Sequence, residues 1–225
     1  MRTLLLLWLT AAVACAAERS VEARGLNAKT FAEDGRLLRH LTAESASGPF
    51  TAPTIQHGKV EFYAREPADR GAAVLQWTEA KYLRAEETIV GNEAIALRTD
   101  EANVSGWGFR CALEAGRLEL KSDVRFSSPT FRMSGREALV LFDAKGSKTA
   151  VIRSIEVTGD IVMERTPTLK APFERAESSF ARFSAEENKV FLKSPVAAWR
   201  KGERMMLEVA SGFVEIDLGE TADPK

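Results

Sequence analysis

Few side chains in this sequence are of types suited to making and breaking bonds. The cysteines are Cys15 and Cys111, the histidines are His40 and His57, and paired carboxylates stand at Glu86-Glu87 and Glu186-Glu187. A nucleophilic thiol needs a base beside it, and both histidines sit in polar, turn-like surroundings. Both Glu-Glu pairs also fall at turns, where solvated side chains are the plain reading. Gly-x-Ser-x-Gly, His-Glu-x-x-His, Cys-x-x-Cys and the phosphate-cradling Gly-rich loop are all missing from the sequence. With two histidines and no cluster of Asp or His, no metal and no cofactor is expected, and the chain reads as non-enzymatic. A net charge of −1 gives no case for nucleic acid, which wants a basic surface.

What remains is apolar recognition. Ser105-Gly106-Trp107-Gly108-Phe109 places a glycine on each side of a tryptophan. That pattern suggests a bulge or a close backbone approach, with Trp107 and Phe109 pointing the same way. A packed aromatic at a β-bend is the plain reading, and an aromatic lining for an apolar ligand is the functional one. Trp77 and Tyr82 carry the same two readings.

The elements that would hold these side chains are strands. In Arg117–Phe126, Leu118, Leu120, Val124 and Phe126 alternate with Glu119, Lys121, Asp123 and Arg125, and Ser122 is the small member of the apolar series. A period of two with charges on one face is a half-buried antiparallel strand. Similar runs cover Ile89 to Leu97, Val104 to Leu113, Leu139/Leu141, Val151 to Met163 with a bulge near Gly159, Val190/Leu192 and Val196/Ala198. His57-Gly58-Lys59 reads as a turn. Residues 173–187 show helical spacing through Phe173, Ala176, Phe180 and Phe183, but parallel the strand around Tyr82 and are read as strand. Val60, Ile95, Val124, Ile161 and Val196 align as strand ends at intervals of about 29–37 residues. Units of that length must stack to bury an apolar face. The expected fold is all-β, with one apolar interior. Candidate groove residues are Trp77, Tyr82, Ile89, Ile95, Leu97, Trp107, Phe109, Leu118, Leu120, Val124, Phe126, Ile155, Val157, Ile161, Val190, Leu192 and Val196.

The N-terminus reads as an export signal over residues 1–16: Arg2, an apolar run Leu4 to Leu9, then Ala-x-Ala sites at Ala12–Ala14 and Ala14–Ala16. Cys15 follows small residues, so lipidation of Cys15 and its loss with the signal both stay open. Residues 17–30 read as a polar leader. Cys111 reads as a buried small hydrophobe.

Phe31-x3-Gly35-Arg36 running into Leu41-x-Ala43, then Ala80-Lys81-Tyr82, Ile89 to Ile95, Val104 to Phe109 and Leu118 to Phe126, resembles the LptC-type proteins of lipopolysaccharide export. The second half resembles the related OstA/LptA-type repeat, which sets two continuous halves at 31–126 and 127–219. The resemblance implies an open, twisted antiparallel β-jelly roll with an apolar slot. It also implies carriage of lipopolysaccharide acyl chains across the periplasm during outer-membrane biogenesis, and edge-strand pairing with other export proteins. LptC-type proteins usually keep an N-terminal membrane span. This chain has a short, cleavable-looking signal instead, so an LptA-like soluble or lipidated form and an inner-membrane-associated form with an uncleaved N-terminus both stay open. The rival reading is a β-repeat envelope scaffold with a filled core and no lipid ligand.

Overall fold

The computed structural model describes residues 20–63, 71–143, 152–169, 171 and 173–219. The expected signal peptide and Cys15 lie outside the described residues. Among the described residues the fold is all-β and antiparallel, with one 3-10 turn at Arg84–Glu86. The strands are β1 (Ser20–Phe31), β2 (Leu37–Pro49), β3 (Thr54–Tyr63), β4 (Gly71–Leu83), β5 (Thr88–Thr99), β6 (Asn103–Ala112), β7 (Arg117–Ser127), β8 (Phe131–Gly135) and β9 (Glu137–Phe142). They continue with β10 (Ile152–Arg165), β11 (Arg175–Ser184), β12 (Lys189–Lys193), β13 (Val196–Arg200), β14 (Glu203–Leu207) and β15 (Phe213–Asp217). All fifteen belong to one jelly-roll-like sheet that begins at β1 and meanders to β14 and β15.

The sheet is creased across its middle. β1, β2, β3, β4 and β6 slip phase by one residue on one transverse line, while β5, β7 and β10 are irregular there and keep their inward phase. On that line lie Gly25 in β1, His57 in β3, Gly108 in β6, Asp123 in β7 and Gly159-Asp160 in β10, all with positive φ. The crease breaks one strand into β9 and β8 at Arg136, and another into β12 and β13 at Ser194-Pro195. An extra residue in one strand bends it and sharpens its twist. Repeated on one line, this folds the sheet into two wings that face each other. The first wing holds residues 54–56, 117–120, β9, 152–158, 181–184 and β12. The second holds 59–63, 124–127, β8, 161–165, 175–177 and β13.

Side chains from the two wings close the interior. Phe62 meets Phe142 edge-on with ring centroids 5.1 Å apart. Phe126 and Phe131 on the second wing pack on Phe183 of the first at 5.7 and 5.9 Å. Such aromatic pairs add to the burial of their apolar area.

The crease explains the repeat. Val60, Ile95, Val124, Ile161 and Val196 are all buried, and they lie on β3, β5, β7, β10 and β13, alternate strands of the meander that run in one direction. Each sits at or just past the crease. The recurring unit is therefore a strand pair in one continuous sheet; Val60, Ile95, Val124 and Ile161 are mid-strand, and Val196 begins β13.

Several expectations need correction. The polar leader at 17–30 is instead largely β1, paired with β2 along its length; its inner face, Val21, Ala23, Leu26, Ala28 and Thr30, is small and weakly apolar, which hides the alternation. His57 is not at a turn. β3 runs through it, with His57 in the left-handed region as a crease residue. Leu139 and Leu141 are half-exposed, while Ala138, Val140 and Phe142 are buried, because a strand apolar on both faces does not declare its phase. The 173–187 segment is strand β11 as read. Its helix-like spacing arises because the inward phase of β11 changes at the crease, from Ala176 to Ala181, opposite a bulge whose extra residue stands in β10.

Candidate functional site

Fourteen of the candidate groove residues are fully buried within the packed interior: Ile89, Ile95, Leu97, Phe109, Leu118, Leu120, Val124, Phe126, Ile155, Val157, Ile161, Val190, Leu192 and Val196, each at most 2% exposed. Trp77 is also buried. Its indole fills the niche left by Gly58, where a Cβ would stand 2.1 Å from the ring, and its Nε1 has no hydrogen-bond partner among the described residues.

Trp107 is the exception and a correction. It is 48% exposed, whereas Phe109 is buried. Gly108, at φ +63, inserts one residue between the inward positions Gly106 and Phe109, so Trp107 turns outward. Ser122 pairs opposite it and gives its hydroxyl to the Trp107 carbonyl. Ser122, the small member of the apolar series, therefore sits beside an outer-face tryptophan.

The wings part at the β1 end. A narrow cleft of about 90 Å³, open at its mouth, lies there. Its floor and walls are Leu41 and Ala46 of β2, Ile55 and Val60 of β3, and Leu113 beyond β6. β1 closes one side with Val21, Leu26, Ala28 and Thr30, and Phe50 and Pro53 form part of the rim. Among the candidate groove residues, Tyr82 lines this cleft.

Polar groups enter at one place. Arg39 on β2 pairs opposite Phe62, so it faces the interior. Its Nη2 donates to Glu87 Oε2 at 2.9 Å. Glu87 is held at the end of the 3-10 turn with φ 45. The Glu87 N–H donates to the Arg84 carbonyl, and its own carbonyl accepts from Leu113 N–H at 3.0 Å. Those backbone bonds aim the carboxylate at Arg39. Burial pushes the Tyr82 hydroxyl above its ordinary pKa, and the Glu87 charge adds to the rise. At the rim the Arg84 guanidinium stacks 4.2 Å from the Phe50 ring centroid, a cation–π contact.

The other chemistry-bearing residues stand apart from this cleft. Cys111 is buried, and burial pushes its thiol up to about 12. His57 reaches Glu44 at 2.8 Å, and His40 bonds the Asn27 side chain at 2.9 Å. Glu86 pairs with Arg110, and Glu187 with Arg182, at exposed positions. Among the described residues no three His, Cys, Asp or Glu side chains gather as a metal site, and no helix is long and apolar enough to cross a membrane.

The sequence reading missed Leu26, Ala28, Arg39 and Leu41, and it took Glu87 for a solvated turn residue where the structure pairs it with Arg39. The signal that could have found Arg39 and Leu41 is the inward alternation Arg39, Leu41, Ala43 of β2. Matched against neither protein-family models nor curated proteins does the chain find a counterpart.

Proposed function

We propose that the protein is a non-enzymatic lipid carrier that takes acyl chains into the cleft between its wings at the β1 end. The observation that carries this reading is an apolar slot at the open edge of a sheet whose interior is otherwise filled. Each acyl methylene moved from water into such a slot contributes about 0.8 kcal/mol, so roughly six give about 5 kcal/mol without any catalytic group. Together with the LptC/OstA-type resemblance, this supports lipopolysaccharide as the lipid and the periplasm as the place, with an uncleaved or lipidated N-terminus as a tie to the inner membrane. Among the described residues β1 pairs only with β2, and β15 only with β12. Those outer strands offer backbone groups for strand addition by other export proteins.

Photo-crosslinking groups at Leu41 and Tyr82 test the reading against groups at Leu120 and Leu192. Adducts with lipopolysaccharide at the first two positions and none at the second two are expected. Adducts confined to outer-face positions such as Trp107 would overturn it. The packed interior from β5 to β13 favours one second reading, an envelope scaffold without ligand. Failure of the folded chain to take up any apolar probe would select it.

A further inference from the structure

The cleft is not purely apolar, and its polar group is incompletely paired. Arg39 Nη1 is shut off from solvent and has no hydrogen-bond partner among the described residues, while the Arg39 side chain is 11% exposed. A buried donor without an acceptor costs about 1–3 kcal/mol. The charges lining the slot are Arg39, Arg84 and Glu87, which leaves one positive charge in excess. A hydrocarbon tail alone would answer neither the open donor nor the excess charge.

We infer that the cleft takes a single acyl chain carrying a carboxylate, with the carboxylate accepting from the Arg39 guanidinium and the chain lying along Leu41, Ile55 and Val60. A monoanion matches the excess charge, and a phosphate dianion exceeds it. The inference rests on the acyl-binding reading above and specifies the head group that reading leaves open.

Calorimetric titration of the full chain with dodecanoate, dodecanol and dodecyl phosphate, each below its aggregation limit, tests it. Dodecanoate should bind roughly tenfold or more tightly than dodecanol, since a charge-assisted bond is stronger than a neutral one. Arg39→Gln should erase that preference. Glu87→Gln removes the competing negative charge and should sharpen the preference, and it gives a readout even if Arg39→Gln folds poorly. Equal binding of dodecanoate and dodecanol would overturn the carboxylate site and leave acyl binding intact. Tighter binding of dodecyl phosphate would overturn the choice of head group. Binding of none of the three would overturn both this inference and the reading beneath it.

Discussion

The middle and the β1 end of the sheet share one architecture and differ in what fills it. In the middle, Phe126, Phe131, Phe142 and Phe183 bridge the wings with ring centroids 5–6 Å from their partners. At the β1 end the same inward positions carry Val21, Ala28, Thr30, Ala43 and Ala46. Two wings set apart by one crease leave space wherever the facing side chains are small. The cleft therefore follows from a gradient of side-chain size along the sheet, not from a change of fold.

The largest test of that contrast is paired truncation. Phe126→Ala in the filled middle should cost about 3–5 kcal/mol in denaturant unfolding, because transfer and cavity costs add in a close-packed core. Leu41→Ala beside the cleft should cost about 1–2 kcal/mol, since its side chain already borders empty space. Equal costs would erase the distinction between the regions.

Next comes overpacking. Gly58→Ala would set a Cβ against the buried Trp77 ring, and Gly91→Ala against Phe109 at 2.5 Å and the Glu79 carbonyl at 2.8 Å. Each should destabilise by about 1–3 kcal/mol. By contrast, Ala28→Phe points into the cleft and should leave the unfolding midpoint unchanged or raised. It should also weaken uptake of an apolar fluorescent probe about tenfold. Ser122→Phe should leave uptake unchanged, because Ser122 stands beside the outward Trp107.

The smallest effect is chemical. Cys111 lies in the filled region, and burial pushes its thiol from 9.0 to about 12. The folded state therefore holds a proton that the unfolded chain releases. The contribution is fully present below pH 9.0 and is lost as pH rises toward about 12. Unfolding titrations across that window, compared with Cys111→Ala, should show an alkaline loss that the variant lacks. Iodoacetamide should label Cys111 in unfolded chain and spare it in folded chain.

Much of this was fixed by the residues themselves. Period-two alternation placed Leu118–Phe126, Ile89–Leu97 and Val190–Leu192 on strands, and burial of apolar area dictated that their apolar faces turn inward. The recurrence of Val60, Ile95, Val124, Ile161 and Val196 marked alternate strands of one sheet, since side-chain chemistry repeats when each strand pair meets the same neighbours. Tertiary structure decided the rest. The crease changed the face presented by Trp107, left Ser122 beside the outer surface and made β11 mimic a helix. A one-residue slip inverts every later side chain and leaves no mark in composition. The cleft, too, depends on which side chains the opposite wing brings across. Arg39 and Glu87 lie 48 residues apart and meet only because β2 and the turn after β4 converge at the open end of the folded sheet.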